Sequence, residues 1–332
     1  MMKTLTIQHG SQSNMSTKTA WVIHHSESTP SYNSATMLNA FASRDIDAQL
    51  INYNALNLAN NNLILNDTVL ASPDYAVIVN QTHTLLNSPS FEVRNSILEK
   101  LQSFENTTFA NLPRDHAGAA NKISVYRKLS DANISLPKFE FVDTAPDSPN
   151  LPYMVERIGN FPIVVKWPFG FEGMAVRLCH DMDELKAAIQ ELKAAAVIKV
   201  NTVILQEYVS GAESAMFCVR VIGDDIFTRM FLGSPYGTSS FKSIVSLGRQ
   251  QLPCETIEPV RQAAMSVMSI LNLNSARMDM FLTDEGIKIC DVNCIGSFLP
   301  TDQTHNIRVA DLIADMVIKK KDEAGLITNA DL

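Results

Sequence analysis

The sequence predicts an α/β chain: a parallel-sheet unit first, then mixed units in which helices pack on paired strands. Three observations carry this. Between Thr19 and Asn111 short apolar runs alternate with helical stripes, the pattern of a parallel sheet covered by helices. From about Pro113 the texture shifts to strands joined through glycine-bearing turns. Near the end, Ala276–Leu282 and Ile287–Val292 flank the turn signal Asp284-Glu285-Gly286, which reads as a hairpin.

The 332 residues, 46% hydrophobic and 19% charged, suit a soluble globular protein of two or three domains. A net charge of −8 argues against nucleic acid or an anionic membrane as the main partner. No apolar run has membrane-spanning length. Met1 to Lys18 is polar, without a signal peptide's apolar core, and reads as a flexible arm on a cytoplasmic protein. Cys179, Cys218, Cys254, Cys290 and Cys294 are odd in number and unpatterned, as free thiols in a reducing compartment would be. Cys290 and Cys294 form a C-x₃-C pair that nothing nearby completes into a zinc set.

In order, Ala20–His24 is an apolar strand, Ser31–Arg44 a helix with Ala35, Leu38 and Ala42 in its stripe, and Gln49–Tyr53 a second strand. Asn54–Asp67 fits no pattern. Tyr75–Asn80 is a buried strand, Phe91–Phe104 a helix, and Thr108–Asn111 the closing strand. His24, Ser26, Glu27 and His83 lie at or just past strand ends, where ligands of such sheets sit. The absence of a Gly-x-Gly-x-x-Gly stretch argues against a nucleotide site here. Asn121–Asn133 is a helix ended by the approach to Pro137, followed by a connector with Pro146, Pro149 and Pro152. Phe161–Lys166 is a strand ending in a lysine. The Gly170–Gly173 loop and a strand, Met174–Leu178, follow. A lysine beside a glycine loop suits phosphate, because backbone N–H groups approach the oxygens and the ammonium offsets their charge. Asp181–Glu184 opens a helix with a capping box. Strands follow at Val203–Val209, Ala215–Ile222 and Ile226–Leu232. Gly233–Ser243, holding Lys242, has loop composition. Glu258–Leu271 is a helix, and Arg308–Lys320 is the last, with Lys319–Lys321 as a favourable helix end.

The hairpin carries the most chemistry. Arg277, Asp279 and Phe281 share one strand face, Met278, Met280 and Leu282 the other, and Asp291 and Asn293 share a face of the second strand. Two carboxylates and an amide carbonyl are hard oxygen ligands of the kind Mg²⁺ takes beside phosphates. The same residues also read as a solvated charged surface.

Taken in order, Asn121-Lys122, Pro162–Lys166 with its glycine loop, Gln206–Val209, Gly211–Glu213, Arg277-Met278-Asp279 and Asp291-Val292-Asn293 resemble the ATP-grasp superfamily. The likeness is strongest to its carboxylate–amine ligases, RimK-like glutamate ligases and D-alanine–D-alanine ligase. The resemblance covers about Asn121 to Lys320 and implies a Rossmann-like parallel-sheet domain followed by an ATP-grasp fold of two α+β subdomains. It implies an arm at 1–18, an N-terminal domain at 19–113, a central or lid subdomain at 114–205 and a core with the metal site at 206–325. It further implies that Lys122 and Lys166 contact ATP phosphates under the Gly170–Gly173 loop. Gln206, Glu207, Tyr208 and Val209 would form the adenine hinge through backbone groups of Glu207 and Val209, and Glu213 would hold the ribose. Asp279, Asp291 and Asn293 would bind one or two Mg²⁺ ions, with Mn²⁺ as the alternative metal. Arg277 would steady an acyl phosphate and the tetrahedral oxyanion. The implied partners are a small-molecule or peptide carboxylate and an amine, with oligomer formation left open. The competing reading is a non-catalytic nucleotide- or peptide-binding module of the same fold.

Three departures stand out. Asp291 occupies a position where the family usually has Glu. Cys294-Ile295-Gly296 replaces the usual Pro-Gly turn. The family's Asp-x-Arg stretch is here Met216-Phe217-Cys218, with Arg220 one alternation further on as the expected substitute.

Overall fold

The computed structural model describes residues 17–24, 31–79, 91–145, 149–169, 176–196, 200–209, 216–231 and 251–330, side chains 91–94 and 327–330 apart. The first unit holds β1 (Thr19–His24), α1 (Tyr32–Ala42), β2 (Asp47–Asn52), β3 (Leu56–Ala59), β4 (Asn62–Leu65), β5 (Thr68–Val69), β6 (Tyr75–Ile78), α2 (Phe91–Gln102) and β7 (Thr108–Phe109). Its main sheet has the order β2-β1-β6-β7, every pair parallel. Continuous burial of Ala20–His24 and Tyr75–Ile78 matches strands covered on both faces. The stretch that fitted no pattern, 54–67, becomes a short helical turn and most of a small antiparallel sheet, β3-β4-β5. Its strands are two to four residues long and turn at Asn60, Asn61, Asn66 and Asp67, all with positive φ. Asn and Asp tolerate that conformation, so the asparagine richness is turn chemistry.

Next come α3 (Pro113–Ala120), α4 (Lys122–Asp131), β8 (Phe139–Asp143), α5 (Leu151–Ile158), β9 (Ile163–Lys166), β10 (Val176–Cys179), α6 (Met182–Ala195) and β11 (Thr202–Glu207). The proline connector is therefore partly helix. Pro152 sits in the first turn of α5, where a missing N–H costs nothing, and Gly159 caps the end at φ 118°. The second sheet, β10-β9-β11-β8, is antiparallel. At the start of α6, Asp181 accepts from the Glu184 N–H at 2.8 Å, and Glu184 accepts from the His180 N–H at 2.8 Å.

The last stretch holds β12 (Met216–Ile222), β13 (Asp225–Phe231), β14 (Gln251–Cys254), α7 (Glu258–Leu271), β15 (Ser275–Thr283), β16 (Gly286–Asn293), α8 (Leu299–His305) and α9 (Val309–Ala330). Its antiparallel sheet runs β14-β13-β12-β15-β16. One face packs Val219, Val221, Met278, Met280, Ile289 and Val292 on α7. Leu282, expected beside Met278 and Met280, lies near the hairpin tip and is 37% exposed. The final helix runs ten residues past the expected Lys320. Lys321 is thus not a helix end; its Nζ lies 2.9 Å from Asp74 Oδ1 and 2.9 Å from the Asn106 carbonyl. No helix among the described residues is long and apolar enough to cross a membrane. All five cysteines are free thiols.

Candidate active site

The face of the large sheet opposite α7 is polar, and strand register sets its contents. Arg277 pairs with Asn293 and Asp279 with Asp291 across β15 and β16. Below that the register slips: Met280 pairs with Ile289, which leaves Cys290 as an extra residue. This bulge keeps Ile289 in the core and turns Lys288 to the site face, where its Nζ lies 3.0 Å from Glu207 Oε1. It also leaves the Cys290 carbonyl outside the ladder. Lys166 Nζ donates to it at 3.2 Å, and Tyr126 OH lies 3.0 Å from it.

Helix α4 reaches this face through its first turn. Asn121 caps it, accepting from the Ile123 N–H at 3.0 Å, and the Lys122 N–H donates to the Pro168 carbonyl at 3.1 Å. The cap therefore ties Lys122 to the chain leaving β9. Lys122 Nζ forms an ion pair with Asp291 Oδ1. Asn293 Nδ2 donates to the other Asp291 oxygen at 3.2 Å. Lys166, at the end of β9, also meets Tyr126 OH at 3.3 Å, and that hydroxyl lies 2.6 Å from Gln206 Oε1. Tyr126 thereby joins the lysine, the hinge and the bulge. Arg277 grips Asp279 with Nη2 at 2.8 and 3.1 Å from its two oxygens.

The electrostatics follow from these contacts. Burial alone would raise the Asp291 pKa, but the Lys122 and Lys166 ammonium groups outweigh it and hold the carboxyl below its ordinary value. Burial pulls Lys166 down, and its neighbours Cys290, Tyr126 and Asp291 outweigh that and hold it up. Arg277 is held up by Asp279 against burial. Arg220 is pushed down to about 9 by burial, with Arg277 and Arg229 adding to the effect.

The structure thus brings together Lys122, Lys166, Gln206, Arg277, Asp279, Asp291 and Asn293. Of the expected hinge, Gln206 and Val209 are buried and Glu207 and Tyr208 half-buried. The Glu207 N–H is committed to the Lys138 carbonyl at 2.8 Å, so adenine would have to meet other backbone groups there. Gly170, Gly173, Glu213, Lys242, Ser26, Glu27 and His83 lie outside the described residues. His24 is buried at the end of β1, in the first unit.

Arg220 does not take the expected substitute's part. It is fully buried, and its guanidinium is spent on the Ile295 carbonyl and, at 2.8 Å, the Ser297 carbonyl. It stacks on Phe298 at 5.5 Å. These contacts shape the turn at Gly296, whose φ is 58°. A Cβ on Gly296 would come within 3.0 Å of Arg277 Cδ, so the glycine lets the turn close against the arginine. The missed members of the site are Tyr126 and the bulge at Cys290. Tyr126 lies within the helix expected at Asn121–Asn133, where nothing local sets it apart, and nothing local marks a bulge.

Two carboxylates and an amide, flanked by two lysines and an arginine, form a donor set that fits a hard divalent cation beside phosphate. No group of three or more His, Cys, Asp or Glu side chains suited to a metal occurs among the described residues. This set has two such side chains, so phosphate oxygens or water would have to complete the coordination.

The RimK-like ATP-grasp domain matches residues 119–317. A probable alpha-L-glutamate ligase 2 of Shewanella amazonensis is 26% identical over 203 residues, 61% of this chain and 64% of that protein. Human N-acetylaspartylglutamate synthase A is 26% identical over 255 residues, 76% of this chain and 62% of that protein. The chain therefore spans under two thirds of the length of these curated relatives. Among solved structures, the ATP-grasp ligase PsnB complexed with minimal precursor, Mg and ADP superposes with a TM-score of 0.64 at 14% identity, over 91% of this chain and 98% of that one. With the profile covering more than half of its residues, the chain belongs to the RimK-like ATP-grasp family.

Proposed function

We propose that the protein is an ATP-dependent ligase that joins a carboxylate to the amine of an amino acid or small peptide through an acyl phosphate, releasing ADP and phosphate. The observation that carries this reading is the ion pair of Lys122 with Asp291 beside the Arg277–Asp279 pair. It sets a cation from α4 against the carboxylate hairpin, with Lys166 alongside. A carboxylate is a poor electrophile, and phosphorylation supplies the leaving group that an amine then displaces. The protein's part is positioning and charge compensation. Lys122 and Lys166 would meet the phosphates, Gln206 to Val209 the adenine, Glu213 the ribose, and Arg277 the acyl phosphate and oxyanion. The Gly170–Gly173 loop would close over the phosphates. Asp279, Asp291 and Asn293 would hold Mg²⁺, or Mn²⁺ in its place, which when bound offsets phosphate charge. The Mg and ADP named with PsnB, and the ligase and synthase names of the relatives, support the reading. We place the protein in the cytoplasm, where five free thiols persist, and keep domain divisions after residues 18, 113 and 205.

The test is a mass-spectrometric screen of amino acids and small peptides with ATP and Mg²⁺, seeking products lighter than the summed substrates by one water. ADP release should require both an added carboxylate and an amine. Nucleotide binding without turnover across a broad panel would favour the binding module instead.

A further inference from the structure

The second sheet and the large sheet keep separate cores. Val142, Val165, Leu185 and Val203 lie in one cluster, and Val219, Met278, Met280 and Ile289 in another. Three consecutive residues of β16 reach from the large sheet to the second sheet and to the strap that leads into it. The Ile289 N–H donates to the Ser135 carbonyl at 2.9 Å. The Cys290 carbonyl accepts from Lys166 Nζ at 3.2 Å, with Tyr126 OH 3.0 Å away. Lys288 Nζ meets Glu207 Oε1 at 3.0 Å.

Lys288 owes its place to the register slip. With unbroken alternation below the Asp279–Asp291 pair it would stand opposite Leu282, on the core face. The extra residue at Cys290 sets it opposite Phe281 instead, on the face of the site. Its side chain is 11% exposed and that of Glu207 18%, so the pair is largely withdrawn from water. Removing one member of such a pair leaves the other charge buried without compensation, and it must move to find solvent. A second carboxylate, Glu285, lies 2.9 Å from the same ammonium but is 78% exposed.

Glu207 is the last residue of β11. Its N–H donates to the Lys138 carbonyl at 2.8 Å on one side, and its carboxylate meets Lys288 on the other. Beyond it Tyr208 and Val209 leave the ladder. Val209 is buried in one cluster with Met216, Phe231 and Phe281, and Phe281 is the cross-strand partner of Lys288. The segment from Glu207 to Val209 is thus fixed to the hairpin at both ends, by an ion pair and by an apolar contact around a single strand position.

We propose that Lys288 is a positioning residue, whose ion pair with Glu207 holds the 206–209 segment where it receives the base of the nucleotide. The assignment rests on the ligase reading for the identity of that segment, and its test is one of binding. The full chain, with Mg²⁺ present, is titrated calorimetrically with ATP, AMP and inorganic triphosphate. Lys288→Met lowers the affinity for ATP and for AMP by the same factor, about tenfold, the value of one charge-assisted hydrogen bond. Triphosphate, which has no base, binds as it does to the wild type. Lys288→Arg restores both nucleotides. Glu207→Gln reproduces the loss, and the double variant Lys288→Met/Glu207→Gln loses no more than either single one, because both substitutions break one contact. Glu285→Gln, which removes the exposed partner of the same ammonium, leaves all three affinities unchanged. Wild-type nucleotide affinity in Lys288→Met overturns the proposal. So do additive losses in the double variant, and so does triphosphate binding that falls in step with ATP. A wild type that binds no adenine nucleotide would sink the ligase reading and this assignment together. The expected pattern of affinities without any condensation product would sink the ligase reading alone.

Discussion

Arg277 is fixed on both sides, by Asp279 through two hydrogen bonds and by the close approach of Gly296. Arg277→Ala is expected to keep nucleotide affinity and lower turnover by about 10²–10³-fold, the loss typical of one oxyanion donor. Nucleotide affinity falling in step with turnover would remove that role. Gly296→Ala should cost about 1–2 kcal/mol, since a Cβ disfavours a left-handed backbone, and should also displace Arg277. Urea unfolding gives the first figure and steady-state turnover the second. Gly296→Asn relieves the backbone term and keeps the crowding, so it should recover stability more than rate. Tyr126→Phe leaves Gln206 Oε1 without its hydroxyl donor and should cost about 1–2 kcal/mol. It also loosens Lys166, so ATP affinity should fall more than AMP affinity. Equal losses for both nucleotides would reduce Tyr126 to a packing residue.

Among elements, the long helix α9 ties the end of the chain to its beginning. Lys321 binds Asp74, whose carboxylate also accepts from the Thr19 N–H at 2.9 Å, so the helix is pinned where β1 and β6 begin. Burial would raise the Asp74 pKa, and the Thr19 N–H and the Lys321 ammonium bring it below its ordinary 3.8. A depressed carboxylate contributes stability that is present above the ordinary value and lost as pH falls through the lower folded one. The pair is about a third exposed, so the contribution is about 0.5–1 kcal/mol after screening. Lys321→Met should therefore lower stability by that amount at pH 7, and the difference from wild type should shrink by pH 3. A constant gap across that range would show that packing of the lysine stem was responsible. Elements that were missed in the sequence are short ones: β3, β4 and β5, and α3, β8, α5, β14 and α8, each two to eight residues long. A helix of two turns carries too few positions to show a period.

On the scale of the whole molecule, the parallel sheet closes one face with its own unit, through Trp21, Ile23, Ile78 and Leu101, and shares the core on the other. Phe41, Val22 and Val77 share one cluster with Ile222, Ile295 and Phe298 and with Val309, Ile313 and Val317 of α9. Asn33 strengthens the joint: its Oδ1 accepts from the Phe298 N–H at 3.0 Å and its Nδ2 donates to the Gly296 carbonyl at 3.1 Å. The β8–β11 sheet instead closes its own cluster with α5 and α6. A fragment of residues 17–112 is accordingly expected to stay unfolded by circular dichroism. In hydrogen exchange of the full chain, β8–β11 should open as a unit separate from the other two sheets. A folded fragment, or a single exchange unit, would show that the shared core is not what couples these layers.

By itself the sequence determined the alternating first unit, the lysine-bearing helix from about Asn121, the hairpin at 276–292 and the face shared by Arg277 and Asp279, because each depends on a local period or a turn residue. The tertiary structure decided the rest. Which carbonyl Lys166 meets follows from a bulge one residue long, and that Arg220 serves a turn while Arg229 lies over Cys218 follows from pairing between strands. These contacts are set by register and burial across elements far apart in the chain, and no local pattern records where a buried cation finds its partner.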